Sequence, residues 1–166
     1  MNFRLSLLPL FLLTLLFAFG ACKKGSDSEE PDSAFYRDRD KTLIADYIRA
    51  NNLTGFTEDS TGVYVSITEP GTGPLPTLGK TVVAKYTGTT LDGKVFDQTQ
   101  AAIIGFPFVL GAGQVIEGWE DAFPQLNKGA KAILIIESEK AYKGAASGTI
   151  PPHSVLRFDV EVVDIR

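Results

Sequence analysis

Apolar residues follow three regimes along this chain: nearly unbroken from Leu5 to Phe19, every third or fourth position from Phe35 to Ala50, and alternating with polar ones from Val63 onward. The first stretch, LSLLPLFLLTLLFAF, follows one basic residue, Arg4, and runs into the small residues Gly20 and Ala21. It is shorter than the ~20 residues that cross a bilayer. Pro9 also interrupts it, so the pattern predicts a secretory signal peptide over residues 1–21. The polar run KKGSDSEEPDS that follows lacks large apolar side chains and predicts a flexible tether over 22–33.

In the helical regime Tyr36, Leu43, Ile44, Tyr47 and Ile48 form one stripe, with Asp32 or Ser33 suited to cap its start and Asn51 and Asn52 its end. This predicts an amphipathic helix within a segment spanning 34–61. The stripe suits docking on the main domain or pairing with a second copy, so a homodimer through this helix stays open.

The period then becomes two over residues 62–166. VYVSIT places Val63, Val65 and Ile67 on one face. TVVAKYTGTTLDGKVFDQ places Val82, Ala84 and Tyr86 on one face and turns at Asp92-Gly93 into a second strand. KAILIIE and VLRFDVEVVDI add two more, the last alternating Leu156, Phe158, Val160 and Val162 against charged residues. Half-buried strands need a cover. The segment between them with helical character is EGWEDAFPQL, about two turns, ended by Pro124, with Trp119, Ala122 and Phe123 to one side. The expected fold is α+β: a curved antiparallel β-sheet wrapped around one short helix, preceded by the amphipathic helix.

The totals agree with one compact domain plus appendages: 166 residues, a net charge of -4 and 44% hydrophobic residues. No dense Lys/Arg cluster offers the footprint of phosphate-backbone recognition, so nucleic acid is excluded as the expected partner. One Cys and one His make neither an internal disulfide nor a zinc site of ordinary N/S ligation. No metal or cofactor is implied. The Cys, Cys22, sits where cleavage would leave it N-terminal, and FGAC resembles the lipobox of bacterial lipoproteins, with Phe19 where Leu is commoner. That resemblance implies lipidation of Cys22 and a membrane anchor, since each buried CH₂ contributes about 0.8 kcal/mol.

KYTGTTLDGKVFDQ, FPFVLGAGQVIEGWEDAF, KAY and IPPHSVLRFDVEVVDI, in this order and spacing, resemble the FKBP-type peptidyl-prolyl cis-trans isomerases over about residues 62–166. The resemblance implies an FKBP-like fold and an enzyme acting on Xaa-Pro bonds of exported polypeptides, with macrolides as further ligands. With the anchor, it implies a lipoprotein of the Gram-negative cell envelope, held at the outer membrane and facing the periplasm or the surface. Carried onto this chain, Trp119 becomes the floor of an apolar pocket and Tyr86, Asp97, Ile116 and Tyr142 its working groups. Phe96, Phe106, Val115, Ile150 and Phe158 become walls that bind substrate. The Ile116 N–H and the Tyr142 hydroxyl are expected to hold substrate carbonyls.

Gly118 is expected to let the chain turn tightly into the helix. Glu120 and Asp121 are expected to serve the helix dipole, and His153 to brace a loop by hydrogen bonding. Three positions depart from the family pattern. Ala102 stands where many members carry an arginine that pairs with the pocket aspartate, which leaves Asp97 without that partner. Lys140 stands where an aromatic is frequent, and the loop Lys143 to Thr149 is shorter. These departures keep a rival open, a module that grips proline-containing or unfolded segments without turnover. A further rival is a structural envelope lipoprotein assembled through its helix.

Overall fold

The computed structural model describes residues 31–58, 61–100 and 104–166. The signal peptide, Cys22, most of the tether and Ala102 lie outside the described residues. Helix α1, Ser33–Ala50, begins where the Asp32 carboxylate accepts the Phe35 N–H at 2.9 Å. It ends where Asn51 returns both its backbone N–H and its side-chain amide to the Tyr47 carbonyl. These caps satisfy groups that a helix end leaves unpaired.

Strands β1 (Thr57–Glu58), β2 (Val63–Glu69), β3 (Thr81–Thr90), β4 (Val95–Gln98), β5 (Phe106–Val109), β6 (Lys131–Ile136) and β7 (Leu156–Ile165) make one antiparallel sheet in the order β1-β2-β6-β7-β3-β4. β5 pairs with the first half of β3 and β4 with the second. The β3–β4 hairpin closes at Asp92-Gly93, with Gly93 at φ +85° and the Thr90 N–H bonded to the Lys94 carbonyl at 3.1 Å. That positive φ is what a glycine tolerates without strain. Helix α2, Glu117–Ala122, continues into a 3-10 turn at Phe123–Gln125 that contains Pro124. α2 lies against the inner face of the sheet. Trp119, Ala122 and Phe123 join Val63, Val82, Ala84, Leu134, Leu156 and Val162 in the main core.

Two expectations change here. The outer face of β2 and β6 is not left to water: Tyr64 is 8%, Ser66 4% and Ile135 0% exposed. The amphipathic helix α1 covers that face, packing Ile44 on Tyr64, Ile135 and Val155. Ile67, expected inward, is 46% exposed beside a register shift in the β2–β6 pairing.

α1 is also fastened by polar groups. Asp40, fully buried, accepts the Ser138 N–H at 2.8 Å and its hydroxyl at 2.5 Å, while its other oxygen takes Arg39 Nε at 2.9 Å. Arg39 also donates to the His153 carbonyl, and the His153 ring stacks on Tyr36 with centroids 3.4 Å apart. The helical segment and the sheet domain, distinct in pattern, thus pack as one compact unit, Pro31–Arg166.

Candidate active site

Inside the curve of the sheet, above α2, is an open hollow of about 200 Å³ lined by Tyr86, Phe96, Asp97, Phe106, Gln114, Val115, Ile116, Trp119, Tyr142 and Phe158. The fold brings these residues together from β3, β4, β5, the loop before α2, α2 itself, the loop after β6, and β7. Ile150, expected among the walls, does not line the hollow: it is 4% exposed and packs in the main core. Gln114 was not foreseen. Its side-chain oxygen accepts the Val109 N–H at 2.8 Å, and a lone polar residue ahead of Val115 carries no periodic signal of that bond.

Trp119 is the hub of the aromatic set. Tyr86 at 5.0 Å and Phe158 at 5.3 Å meet the indole nearly edge-on, and Phe123 lies below it at 4.9 Å. Such edge-to-face arrangements match the quadrupoles of the rings. The wall of Phe96 and Phe158 leans over β3, which is possible because Gly88 has no side chain. A Cβ there would come within 2.6 Å of Phe96 and 2.9 Å of Phe158. A larger depression of about 480 Å³ lies on the outward side of β3, β6 and β7. Its lining carries the charged residues Lys85, Lys131, Asp159 and Glu161, and Tyr86 is the single aromatic residue in it, so it offers no ring-lined floor.

The Tyr86 hydroxyl donates to Asp97 at 2.6 Å, and the Gln98 N–H donates to the same carboxylate at 2.8 Å. Asp97 therefore has partners within the site, though not the arginine that the family pattern would supply. Burial, and then the bond to Asp97, push the Tyr86 phenol above the usual tyrosine range. The folded state therefore holds this proton more tightly than the unfolded chain. Its contribution is fully present below about pH 10 and is lost as pH rises beyond that value. In an ultraviolet titration a tyrosine step above the usual range is expected, and Tyr86→Phe is expected to remove that late step. A Tyr86→Phe trace that keeps the late step would contradict the assignment.

Ile116 caps α2 with its carbonyl, which accepts the Trp119 N–H at 2.9 Å, while its own N–H donates to none of the described residues. That leaves a backbone donor at the rim of the hollow. Tyr142, 38% exposed, also lines the hollow.

The acidic residues of α2 work structurally, in a more specific way than through the dipole. Glu120 accepts the N–H groups of Gly111 at 2.6 Å and Gly113 at 3.0 Å, fixing the loop that leads from β5 into the site. Lys140 reaches Asp121 at 3.1 Å and Glu117 at 3.5 Å, and Lys143 reaches Glu117 at 3.0 Å. The residue that departs from the family pattern thus ties the Tyr142 loop to α2. His153 does brace the other side, but through its backbone: at φ +52° its N–H donates to the Lys143 carbonyl at 2.7 Å.

Gly118 has a different reason from the one expected. Its φ is not in the left-handed region, yet a Cβ would overlap Cγ2 of Ile136 and sit 2.9 Å from its Cδ1. Glycine lets α2 settle directly onto β6. Gly118→Ala is accordingly expected to lower stability by about 1–3 kcal/mol, the usual cost of overpacking, read as a lower denaturant midpoint. An unchanged midpoint would show that Ile136 can move aside.

Residues 73–163 match the family described as FKBP-type peptidyl-prolyl cis-trans isomerase. The chain is 39% identical over 112 residues to the FKBP-type peptidyl-prolyl cis-trans isomerase FkpA of Escherichia coli, covering 68% of this chain and 41% of that protein. It is 41% identical over 107 residues to a peptidyl-prolyl cis-trans isomerase of Drosophila melanogaster, covering 63% of this chain and 99% of that one. A crystal structure of a peptidyl-prolyl cis-trans isomerase from Pseudomonas syringae pv. tomato superposes with a TM-score of 0.67 at 30% identity, over 82% of this chain and 97% of that one. The aromatic hollow, the sheet that curves around α2 and these matches agree: the chain belongs to the FKBP-type peptidyl-prolyl cis-trans isomerase family.

Proposed function

We propose that this protein accelerates cis-trans isomerisation of Xaa-Pro bonds in polypeptides, with the hollow over Trp119 as its active site. The observation that carries this reading is an open, aromatic-floored cavity with two polar groups on its lining residues, the Ile116 N–H and the Tyr142 hydroxyl. An Xaa-Pro amide rotates slowly because resonance gives its C–N bond double-bond character, with a barrier of roughly 18–20 kcal/mol. Twisting the amide removes that resonance and its charge separation. Water stabilises the planar, charge-separated form, so a dry cavity lowers the cost of the twist. Each ~1.4 kcal/mol gained speeds the reaction about tenfold.

The proline ring rests on the indole, with Tyr86, Phe96 and Phe158 around it. The two donors hold the flanking carbonyls so that binding energy is realised as the bond twists. Asp97 fixes the Tyr86 ring through their hydrogen bond and presents a carboxylate to the polar side of the twisted amide. No covalent step is needed. A macrolide that mimics a prolyl segment fits the same cavity by the same contacts.

The assay is the cis-trans exchange rate of an Xaa-Pro tetrapeptide with the full chain. Catalysis is expected, and an exchange rate equal to the spontaneous one would overturn the reading. Peptide binding without acceleration would favour a non-catalytic gripping module instead. Asp97→Ala is expected to lower kcat/KM by about tenfold, the effect of one charge-assisted hydrogen bond.

Lipidation at Cys22 behind a signal peptide, and action on exported polypeptides in the cell envelope, complete the proposal. Its support is the apolar run and FGAC. Fatty-acid labelling of the wild type beside Cys22→Ser tests it, and equal incorporation in both would refute it.

A further inference from the structure

The hollow over Trp119 does not end at Phe96. That ring also lines a second depression, of about 320 Å³, with Val95, Thr90, Lys94 and Thr149. Thr90, Lys94 and Thr149 in turn border a third, of about 370 Å³, between α1 and the loops at the end of the sheet. Its apolar lining is Leu43 from α1, Leu91 from the hairpin, and Pro151 and Val155 from the loop entering β7. Three consecutive depressions thus share walls, and they lead from the prolyl site to the N-terminal helix.

The far wall is held firmly. α1 packs Ile44 into the sheet, and Asp40, Arg39 and Tyr36 bind it to Ser138 and His153. While Ile44 is fully buried, Leu43 next to it is 44% exposed and faces the groove. Charges of both signs stand at the rim, with Arg39 at one side and the Asp92–Lys94 pair, 2.7 Å apart, at the other. Such a rim selects neither an acidic nor a basic ligand. The apolar floor and the Thr149 hydroxyl, with the Thr90 and Ser154 oxygens as acceptors while their protons go to Asp92 and the Pro151 carbonyl, suit an extended polypeptide, which brings apolar side chains and main-chain polar groups together.

We infer that the groove walled by Leu43, Leu91, Pro151 and Val155 is a subsite for the part of the substrate polypeptide that flanks the proline. The inference rests on the proposed isomerase site, and it makes α1 part of the substrate-binding surface. The occupant is an unfolded, apolar-rich stretch of the same chain whose proline lies on Trp119. It should favour long substrates over short ones, because burial of even one large apolar side chain raises affinity roughly tenfold or more.

The test compares a labelled Xaa-Pro tetrapeptide with the same peptide extended by six residues, rich in Leu and Val, on its N-terminal or its C-terminal side. Binding is read by fluorescence anisotropy and turnover separately, on the full chain and on Leu43→Glu and Leu91→Glu. Extension on one side is expected to tighten binding and lower KM about tenfold. Both variants should lose that gain while keeping tetrapeptide kinetics. The inference is overturned if neither extension helps, or if the gain survives in both variants. It is also overturned if sedimentation shows a dimer that Leu43→Glu dissociates, since a second copy would then occupy the groove. Extension-dependent binding without acceleration of any peptide would uphold the subsite and defeat the isomerase reading, so the two failures are distinct.

Discussion

Trp119→Ala is expected to abolish most of the catalysis, lowering kcat/KM at least a hundredfold, and to cost about 3–5 kcal/mol of stability, as large aromatic truncations in cores do. Both effects follow from the same geometry. The indole is 4% exposed and touches Tyr86, Phe108, Phe123 and Phe158, so its loss opens a void in the core as well as removing the floor of the cavity. Trp119→Phe separates the two. The indole Nε1–H has no acceptor among the described residues, so phenylalanine removes an unpaired buried donor while leaving a smaller ring. Trp119→Phe is therefore expected to cost clearly less stability than Trp119→Ala, because the ring it leaves fills most of the void, yet to lose activity. Denaturant unfolding and the tetrapeptide assay read the two effects independently. Wild-type turnover in Trp119→Ala would remove the indole from the mechanism.

Asp40→Ala is expected to destabilise the protein by about 3 kcal/mol, the lower end for breaking a buried charge pair. The lower end applies because the Arg39 side chain is 32% exposed and can turn to water, while Asp40 is fully enclosed. The substitution leaves the Ser138 N–H, its hydroxyl and the Arg39 fork without their acceptor. Asp40→Asn, which preserves shape and one acceptor oxygen, should recover part of the loss, and Ser138→Ala should cost less than Asp40→Ala because its N–H bond survives. The unfolding transition should remain single, since α1 and the sheet share one core face. An early separate transition for α1 would show instead that the helix is loosely attached.

Much of the architecture was legible because its causes are local. The stripe of Tyr36, Leu43, Ile44, Tyr47 and Ile48 repeats at helical spacing, although Leu43 ends 44% exposed at its edge; Asp32 sits at the cap, and Asp92-Gly93 supplies the turn its hairpin needs. The alternation of Leu156, Phe158, Val160 and Val162 marks the inward face of β7 without reference to any other strand. Trp119 stood out through its motif. By contrast, periodicity could not say that Tyr64 and Ile135 are covered on the outer face, because their cover comes from a helix whose stripe reads the same whether it docks on this chain or on another. Ile150 and Phe158 look equally apolar in the sequence, yet only Phe158 reaches the hollow.

By itself, the order of residues marked both helices, five of the seven strands and the hairpin turn, but neither the two-residue β1 nor β5, while the aromatic set around the single tryptophan came from the family resemblance. Hydrophobic period, caps and turn chemistry act between near neighbours, so they can be read one segment at a time. Tertiary structure alone decided that Asp40 meets Ser138 across 98 positions, that Gly118 is required by Ile136 and not by a turn, and that Asp97 finds Tyr86. These depend on which surfaces touch after the chain has folded, and contact between distant segments leaves no mark in the spacing of either one.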